Sequence, residues 1–323
     1  MSGGEDEVGP LPPARLAGYI LGKEPGDEVV ENYRRMGGHL RDVVCDHLGD
    51  RWPRDGARAL DFGCGCGRVL RQFARDVRPG QLVGCDIDAD SVAWVASRLA
   101  PVEAVRNGEQ PPLPFDDATF DVAWSFSVFP HLTDHWADWL LELRRVVRPG
   151  GRVLISVMGE GSSEAIAGEP WDPDRIGMTV RSYARPWPAG GPMILHSEWW
   201  LRAHWGRAFD IVDVVSRAVA DQDLVVLERP ATPAPTREAM TAPEPGEPRE
   251  LAAALHAIAL AQREHAELNR RHDAYAAAYH AELARTEALQ REVVELRRRL
   301  EASGGLGLTG VLRSRARRAL RRP

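Results

Sequence analysis

The sequence predicts an α/β fold, a largely parallel sheet with helices on both faces, followed by a separate helical segment. Three observations carry this prediction. Short apolar runs alternate with amphipathic stretches between residues 58 and 157, the first run ends in a glycine-rich turn, and a seven-residue apolar repeat begins after residue 250. Strands that read as unbroken apolar runs are covered on both faces, because each parallel crossover lays a helix against the sheet.

Residues 1–25 mix Gly, Pro and acidic residues without periodicity and are expected to be a disordered lead-in. Val29, Tyr33, Leu40, Val44 and Leu48 then follow a broadly helical spacing, which predicts a helix over about 29–49. Strands are expected at 58–62, 81–86, 102–106, 120–125 and 151–157, with helices at 66–76, 89–99 and 134–147. The Gly-, Pro- and Trp-containing stretch 159–192 is expected to be irregular. After it, "SEWWLRAHWGRAF" has a helical pattern, and "DIVDVV" and "DLVVLER" read as two further strands. One folded domain is therefore expected over 26–229. Residues 230–249 are rich in Pro and Ala and predict a semi-extended linker.

From 250 to 302 a coiled coil is expected. Leu251, Ala254, Ile258, Ala261, Leu268, Tyr275, Tyr279, Leu289, Val293, Leu296 and Leu300 occupy a and d positions, with His265, His272, Glu282 and Thr286 as polar interruptions. Polar a positions such as His265 and His272 set register and partner number. A homo-oligomer through 250–302 follows as an expectation, with an intramolecular hairpin as its alternative. Gly304 and Gly305 end the repeat, and 303–323 form a basic amphipathic tail.

The whole chain of 323 residues has a net charge of −6, yet its last eleven residues hold six arginines. Removing those six charges leaves the remainder near −12. Arginines alternating with Val311, Leu312, Ala316 and Leu320 suit peripheral contact with an anionic membrane surface or a partner through 306–322, and equally a solvated tail. The acidic body disfavours nucleic acid as a partner. Four cysteines, unevenly placed, do not make a disulfide framework, and no basic-then-apolar leader opens the sequence. A cytoplasmic location is expected, with the inner membrane face as a peripheral site.

The chemistry is concentrated in "ALDFGCGCGRVL", Ala59 to Leu70. A glycine-rich turn from strand to helix lets a ligand approach the backbone, and the helix N-terminus offers N–H groups. A dinucleotide loop would carry a third glycine where Arg68 stands. Here Gly63, Gly65 and Gly67 alternate and follow an acid, Asp61, which can accept from a ligand ammonium group. Cys64 and Cys66 form a C-x-C pair, but no second pair or histidine cluster follows at metal-ligand spacing, so no metal is expected.

With "QLVGCDID" ending its second strand at Asp86, "NGEQPPLPFDDATFDVAWSFSVFPHL" over 107–132 and "LRRVVRPGGRVLISV" over 143–157, the chain resembles the class I S-adenosylmethionine-dependent methyltransferases over about residues 29–229. The resemblance implies a seven-stranded Rossmann-like sheet with its last strand antiparallel, and S-adenosyl-L-methionine as cofactor. It implies that Asp61, Gly63, Gly65 and Gly67 hold the methionine part, with Arg68 bracing the loop or touching the ligand. Asp86 is placed for both ribose hydroxyls with Ile87 beside it, and Asn107 and Gly108 for the adenine, with Glu109 as the alternative. Ser125, ending the fourth strand, completes the implied set. The wording of 107–132 and of the late "DQDLVVLERP" strand is similar to methyltransferases found alongside bacterial glycosyltransferases.

His131, just after the fourth strand, stands on the edge where open α/β sheets bind ligands and is the candidate general base. The alternative is a local hydrogen-bonding role. His196 and Glu198 are the second choice. Trp199, Trp200 and Trp205 could stack on an acceptor, or pack a core as aromatic residues at helical spacing commonly do. The expected reaction is methyl transfer to an oxygen, less favourably a nitrogen, of a bacterial glycan or glycolipid. The alternatives are a small-molecule secondary metabolite as acceptor, and a coiled-coil scaffold whose methyltransferase-fold domain is non-catalytic.

Overall fold

The computed structural model describes residues 8–164, 168, 170–183, 185 and 191–302. The chain divides into two compact units between Ala261 and Gln262. The first unit begins with α1 (Ala14–Leu21) and α2 (Asp27–Leu48), then alternates β1 (Ala59–Phe62), α3 (Leu70–Phe73), β2 (Leu82–Asp86), α4 (Ala89–Arg98), β3 (Glu103–Arg106), β4 (Phe120–Ser125), α5 (Trp136–Val146) and β5 (Val147–Val157). A short turn of helix, α6 (Glu160–Ser162), precedes β6 (Met178–Arg181) and β7 (Met193–His196). The unit continues through α7 (Glu198–His204), β8 (Asp210–Val219), β9 (Gln222–Glu228) and α8 (Arg237–Thr241) into α9 (Arg249–Ala302).

Among the described residues, seven strands make one sheet in the order β3-β2-β1-β4-β5-β9-β8. β3, β2, β1, β4 and β5 pair in parallel, whereas β9 runs antiparallel to both β5 and β8. Burial follows the pleat. Leu60, Val83, Ala123, Val153 and Ile155 enter one core with the aromatic residues of α5 and α7. Their sequence neighbours Ala59, Leu82, Val122, Trp124 and Leu154 enter a second core with residues of α2 and with Leu70 and Phe73 of α3. Both faces are therefore apolar, and the strands read as continuous apolar runs. The helix entering after β2 is capped by Asp88, whose carboxylate accepts from the Ser91 N–H at 2.9 Å.

Several expectations change. The lead-in contains α1, whose Leu16 and Ala17 are buried against Tyr33 of α2 and Cys66 of the glycine loop. Its apolar residues lack helical length in sequence but find a tertiary partner. The helix expected at 66–76 contracts to α3 (Leu70–Phe73), because residues 65–69 remain a run of turns. The irregular stretch 159–192 holds β6, which pairs antiparallel with β7 as a hairpin outside the main sheet. The linker is packed rather than extended. Met240 of α8 is fully buried, and Arg144 donates to the backbone carbonyls of Ala208 and Thr232. The alternative of a helical hairpin does not hold, since α9 runs unbroken from Arg249 to Ala302. The tail 303–323 lies outside the described residues. Among the described residues no helix is long and apolar enough to cross a membrane, and no cluster of His, Cys, Asp and Glu could hold a metal.

Candidate functional site

The turns after β1, β2, β3 and β4 meet at one edge of the sheet, where parallel strands all end with the same polarity. They enclose a cavity of about 500 Å³. Asp61 and Gly63 reach it from the first turn, Asp86 and Ile87 from the second, Asn107, Gly108 and Glu109 from the third, and His131 from the fourth. The glycine loop is tied to the neighbouring strand end, because Gly63 and Cys64 both donate their N–H to the carbonyl of Cys85, at 2.8 and 3.0 Å.

Two glycines are required by space as well as by conformation. Gly63 has φ +75°, and a Cβ there would stand 2.2 Å from Val128 Cγ2. Gly65 has φ +51°, and a Cβ would stand 2.5 Å from Ile20 Cδ1. Side chains with Cβ rarely adopt such φ values, so the loop is both left-handed and crowded. Gly65 and Gly67 do not line the cavity. The former donates its N–H to Asp86 Oδ2 at 2.7 Å, and the latter packs against Leu99 and Val95 at α4.

Charge in this cavity is unusual. Asp61 is 3% exposed, and its Oδ2 has no hydrogen-bond partner among the described residues. Burial pushes its carboxyl up to about 7; the Trp124 indole and the Arg68 guanidinium pull it down, while the Asp86 carboxylate adds to the rise. Arg68, itself buried, donates to Met36 Sδ at 3.0 Å, and burial lowers its pKa against the attraction of nearby groups including Asp61. Asp86 is raised by burial too, although its Oδ1 accepts from the Asp88 N–H at 2.8 Å and its Oδ2 from Gly65. Asn107 donates its amide to the Gly108 carbonyl at 2.7 Å, leaving a buried Oδ1 without a partner among the described residues. Ile87 is 46% exposed at the cavity rim, a large apolar side chain with an open face.

These features fit S-adenosylmethionine. An unpartnered buried carboxylate oxygen suits an ammonium, a second carboxylate at the end of the next strand suits a diol, and an open apolar side chain beside an amide oxygen suits a flat base carrying an amino group.

His131 is also at the cavity. Its Nδ1 donates to the Pro192 carbonyl at 2.7 Å, and burial lowers its pKa. That donation places the single proton of the neutral ring on Nδ1 and an accepting lone pair on Nε2. The second-choice residues are elsewhere. His196 is buried in an aromatic cluster with Trp200 and Trp205, ring centroids 5.6 and 5.8 Å away, and desolvation takes its pKa down to about 3. Glu198 is ion-paired with Arg202 on the surface of α7 at 2.7 Å. Trp199, Trp200 and Trp205 are buried in the core and do not line the cavity. Ser125 is likewise fully buried behind the wall, because the pleat turns it away while Phe126, Ser127 and Val128 reach the cavity. Sequence reasoning did not find Tyr19, Ile20 and Trp139, which line it from α1 and α5. The only local signal was an apolar pair, Tyr19-Ile20, in a stretch otherwise poor in periodicity.

Residues 60–155 match the family model described as a methyltransferase domain. The chain is 40% identical over 157 residues to an uncharacterised 37.1 kDa protein of transposon TN4556 in Streptomyces fradiae, covering 46% of this chain and 43% of that one. It is 39% identical over 115 residues to a probable S-adenosylmethionine-dependent methyltransferase of Mycolicibacterium smegmatis, covering 36% of this chain and 42% of that one. It is 29% identical over 148 residues to the ubiquinone biosynthesis O-methyltransferase of Maricaulis maris, covering 42% of this chain and 55% of that one. The matched part of the chain thus spans about half the length of these relatives. The sheet of order β3-β2-β1-β4-β5-β9-β8 and the acid and glycine loop at its first turn thus stand beside a match to a methyltransferase domain over residues 60–155.

Proposed function

We propose that the protein transfers a methyl group from S-adenosylmethionine to a hydroxyl oxygen of an acceptor with an apolar body. The observation that carries the reading is the buried, unpartnered Asp61 Oδ2 beside Gly63, in a cavity whose next strand end presents Asp86. When bound, the cofactor supplies a methyl already made electrophilic by its sulfonium. Asp61 would accept from the ammonium group, Asp86 from the ribose hydroxyls and Asn107 Oδ1 from the adenine amino group, and Ile87 would offer an apolar face to the base. The glycines leave the loop low enough for the ligand to lie on it.

What remains for the protein is to hold the acceptor in line, about 3 Å from the methyl, and to take its proton. His131 fits the second task. The Pro192 carbonyl fixes its tautomer, and burial keeps the ring neutral near pH 7, so Nε2 can receive the hydroxyl proton. The wall on this side is formed by Phe126, Val128, Leu132 and Trp139. It offers few partners for the several hydroxyls of a free sugar, and suits a lipid-linked or aromatic molecule carrying one reactive hydroxyl. Within the expected acceptors, a glycolipid or a secondary metabolite is therefore favoured over a soluble glycan. The O-methyl transfer named for the Maricaulis maris relative supports oxygen as the acceptor atom.

The test is incubation of the full chain with methyl-labelled S-adenosylmethionine and a lysate, followed by separation into lipid, glycan, small-molecule, protein and nucleic-acid fractions. Label in the lipid or small-molecule fraction is expected. Label confined to protein or nucleic acid would refute the acceptor class, and failure to bind the cofactor by calorimetry would refute the activity.

A further inference from the structure

The second unit, from Gln262, is described between 262 and 302 as helix alone. Its seam is apolar and bare: Leu268, Leu289, Val293 and Leu296 are each about half exposed, and Tyr275 is 75% exposed. With His265, His272, Tyr279, Glu282 and Thr286 they fall at alternating spacings of three and four, which aligns all of them along one supercoiled stripe. Because the helix is unbroken, the stripe cannot be covered by this segment folding back on itself.

We infer that residues 265–296 pair with the same residues of a second copy of this chain, and that the two helices run antiparallel. The polar interruptions choose the direction. A parallel, in-register pair would stack Glu282 on Glu282, placing like charges in the seam, and would set the polar His265 and His272 each on itself. Antiparallel pairing about a twofold between Tyr279 and Glu282 sets each interruption against an uncharged residue. His265 meets Leu296 of the second copy, His272 meets Leu289, Thr286 meets Tyr275, and Glu282 meets Tyr279, where the phenol can donate to the carboxylate.

The flanking charges point the same way. In this register Glu264 faces Arg299 of the second copy and Arg271 faces Glu292, and twofold symmetry repeats both pairs. The parallel register offers only Glu292 with Arg297 in its corresponding flank positions. The paired stretch is about 48 Å long at 1.5 Å per residue, with Leu268 against Val293 as its wholly apolar layer.

Two variants of the full chain, Leu268→Cys and Val293→Cys, would be mixed, equilibrated and oxidised, with wild type as the control for Cys45, and linked peptides identified by mass spectrometry. A peptide joining position 268 to position 293 is expected. Links of 268 to 268 and of 293 to 293 would overturn the antiparallel arrangement, and a wild-type chain that sediments as a monomer at tens of micromolar would overturn the pairing itself. Charge reversal gives a second reading that does not depend on cysteine chemistry. Arg271→Glu should weaken the dimer about tenfold, and adding Glu292→Arg should restore it, whereas in a parallel pair the second change would give no rescue.

Discussion

Replacing Asp61 with Asn should strengthen the ligand-free fold and weaken cofactor binding at once. The carboxyl stands at about 7 in the folded protein against an ordinary value of 3.8, with burial the main cause. Between those two pH values the folded state holds a proton that the unfolded chain has lost, so stability falls as pH rises from 3.8 to 7 and then levels off. The full difference is worth about 4 kcal/mol. At pH 8 the variant, which carries no charge to bury, should therefore melt roughly 8–16 °C above wild type without ligand. The gap should shrink as pH falls towards 4. Binding moves in the opposite direction. The charge-assisted bond to the ammonium is worth about 1.5–3 kcal/mol, so the dissociation constant should rise by roughly 10- to 150-fold. Differential scanning calorimetry across pH 4–8 and isothermal titration at pH 8 read the two effects. If the variant melts no higher than wild type at pH 8, Asp61 is not a buried charge. If it binds the cofactor as tightly as wild type, the ammonium is held elsewhere.

Gly63→Ala should cost about 2 kcal/mol or more, because its Cβ would meet Val128 Cγ2 at 2.2 Å with φ at +75°; chemical denaturation measures it, with cofactor binding lost in the same protein. His131→Ala should lower kcat by about 10²- to 10⁴-fold at unchanged cofactor affinity. Since burial lowers this imidazole below 6.5, the acid limb of the wild-type rate profile should lie below pH 6.5 and vanish in the variant. Glu142→Ala should destabilise by about 1–3 kcal/mol in urea titration, because the carboxylate accepts from the buried Leu113 N–H at 2.6 Å, whose partner is lost, while Arg145 keeps its pair with Asp117 at 2.8 Å.

The alternation of strands and helices was legible because a parallel sheet covered on both faces imposes its period on the sequence, as in the Ala59–Phe62 and Phe120–Ser125 runs. For the same reason the cavity residues at strand ends could be located: Asp61, Asp86, Asn107 and His131 are far apart in sequence but each lies at or after the C-terminal end of a strand, and the topology brings those ends together. What could not be read depends on packing across the chain. Tyr19 and Ile20 reach the cavity only because α1 docks on α2 and the glycine loop. The tryptophans of α7 look equally suited to a core and to a ligand until the fold turns them inward. Ser125 fell on the wrong side of the wall by a single step of the pleat, an error of one residue that reverses a side chain. The β6–β7 hairpin hides in a stretch of Gly, Pro and Trp whose composition gives no period to follow.

A trimmed protein beginning at residue 26 would keep every strand of the main sheet and every acid of the cavity, and would still be the wrong vessel. Ile20 lies over Gly65 and Tyr19 closes the same side, so truncation at that boundary takes out a pane of the enclosure while leaving its frame standing. Such a fragment should fold yet hold its ligand in open water, and an affinity tag fused close to α1 would disturb the same pane. For anyone choosing where to cut or label this chain, α1 belongs with the site.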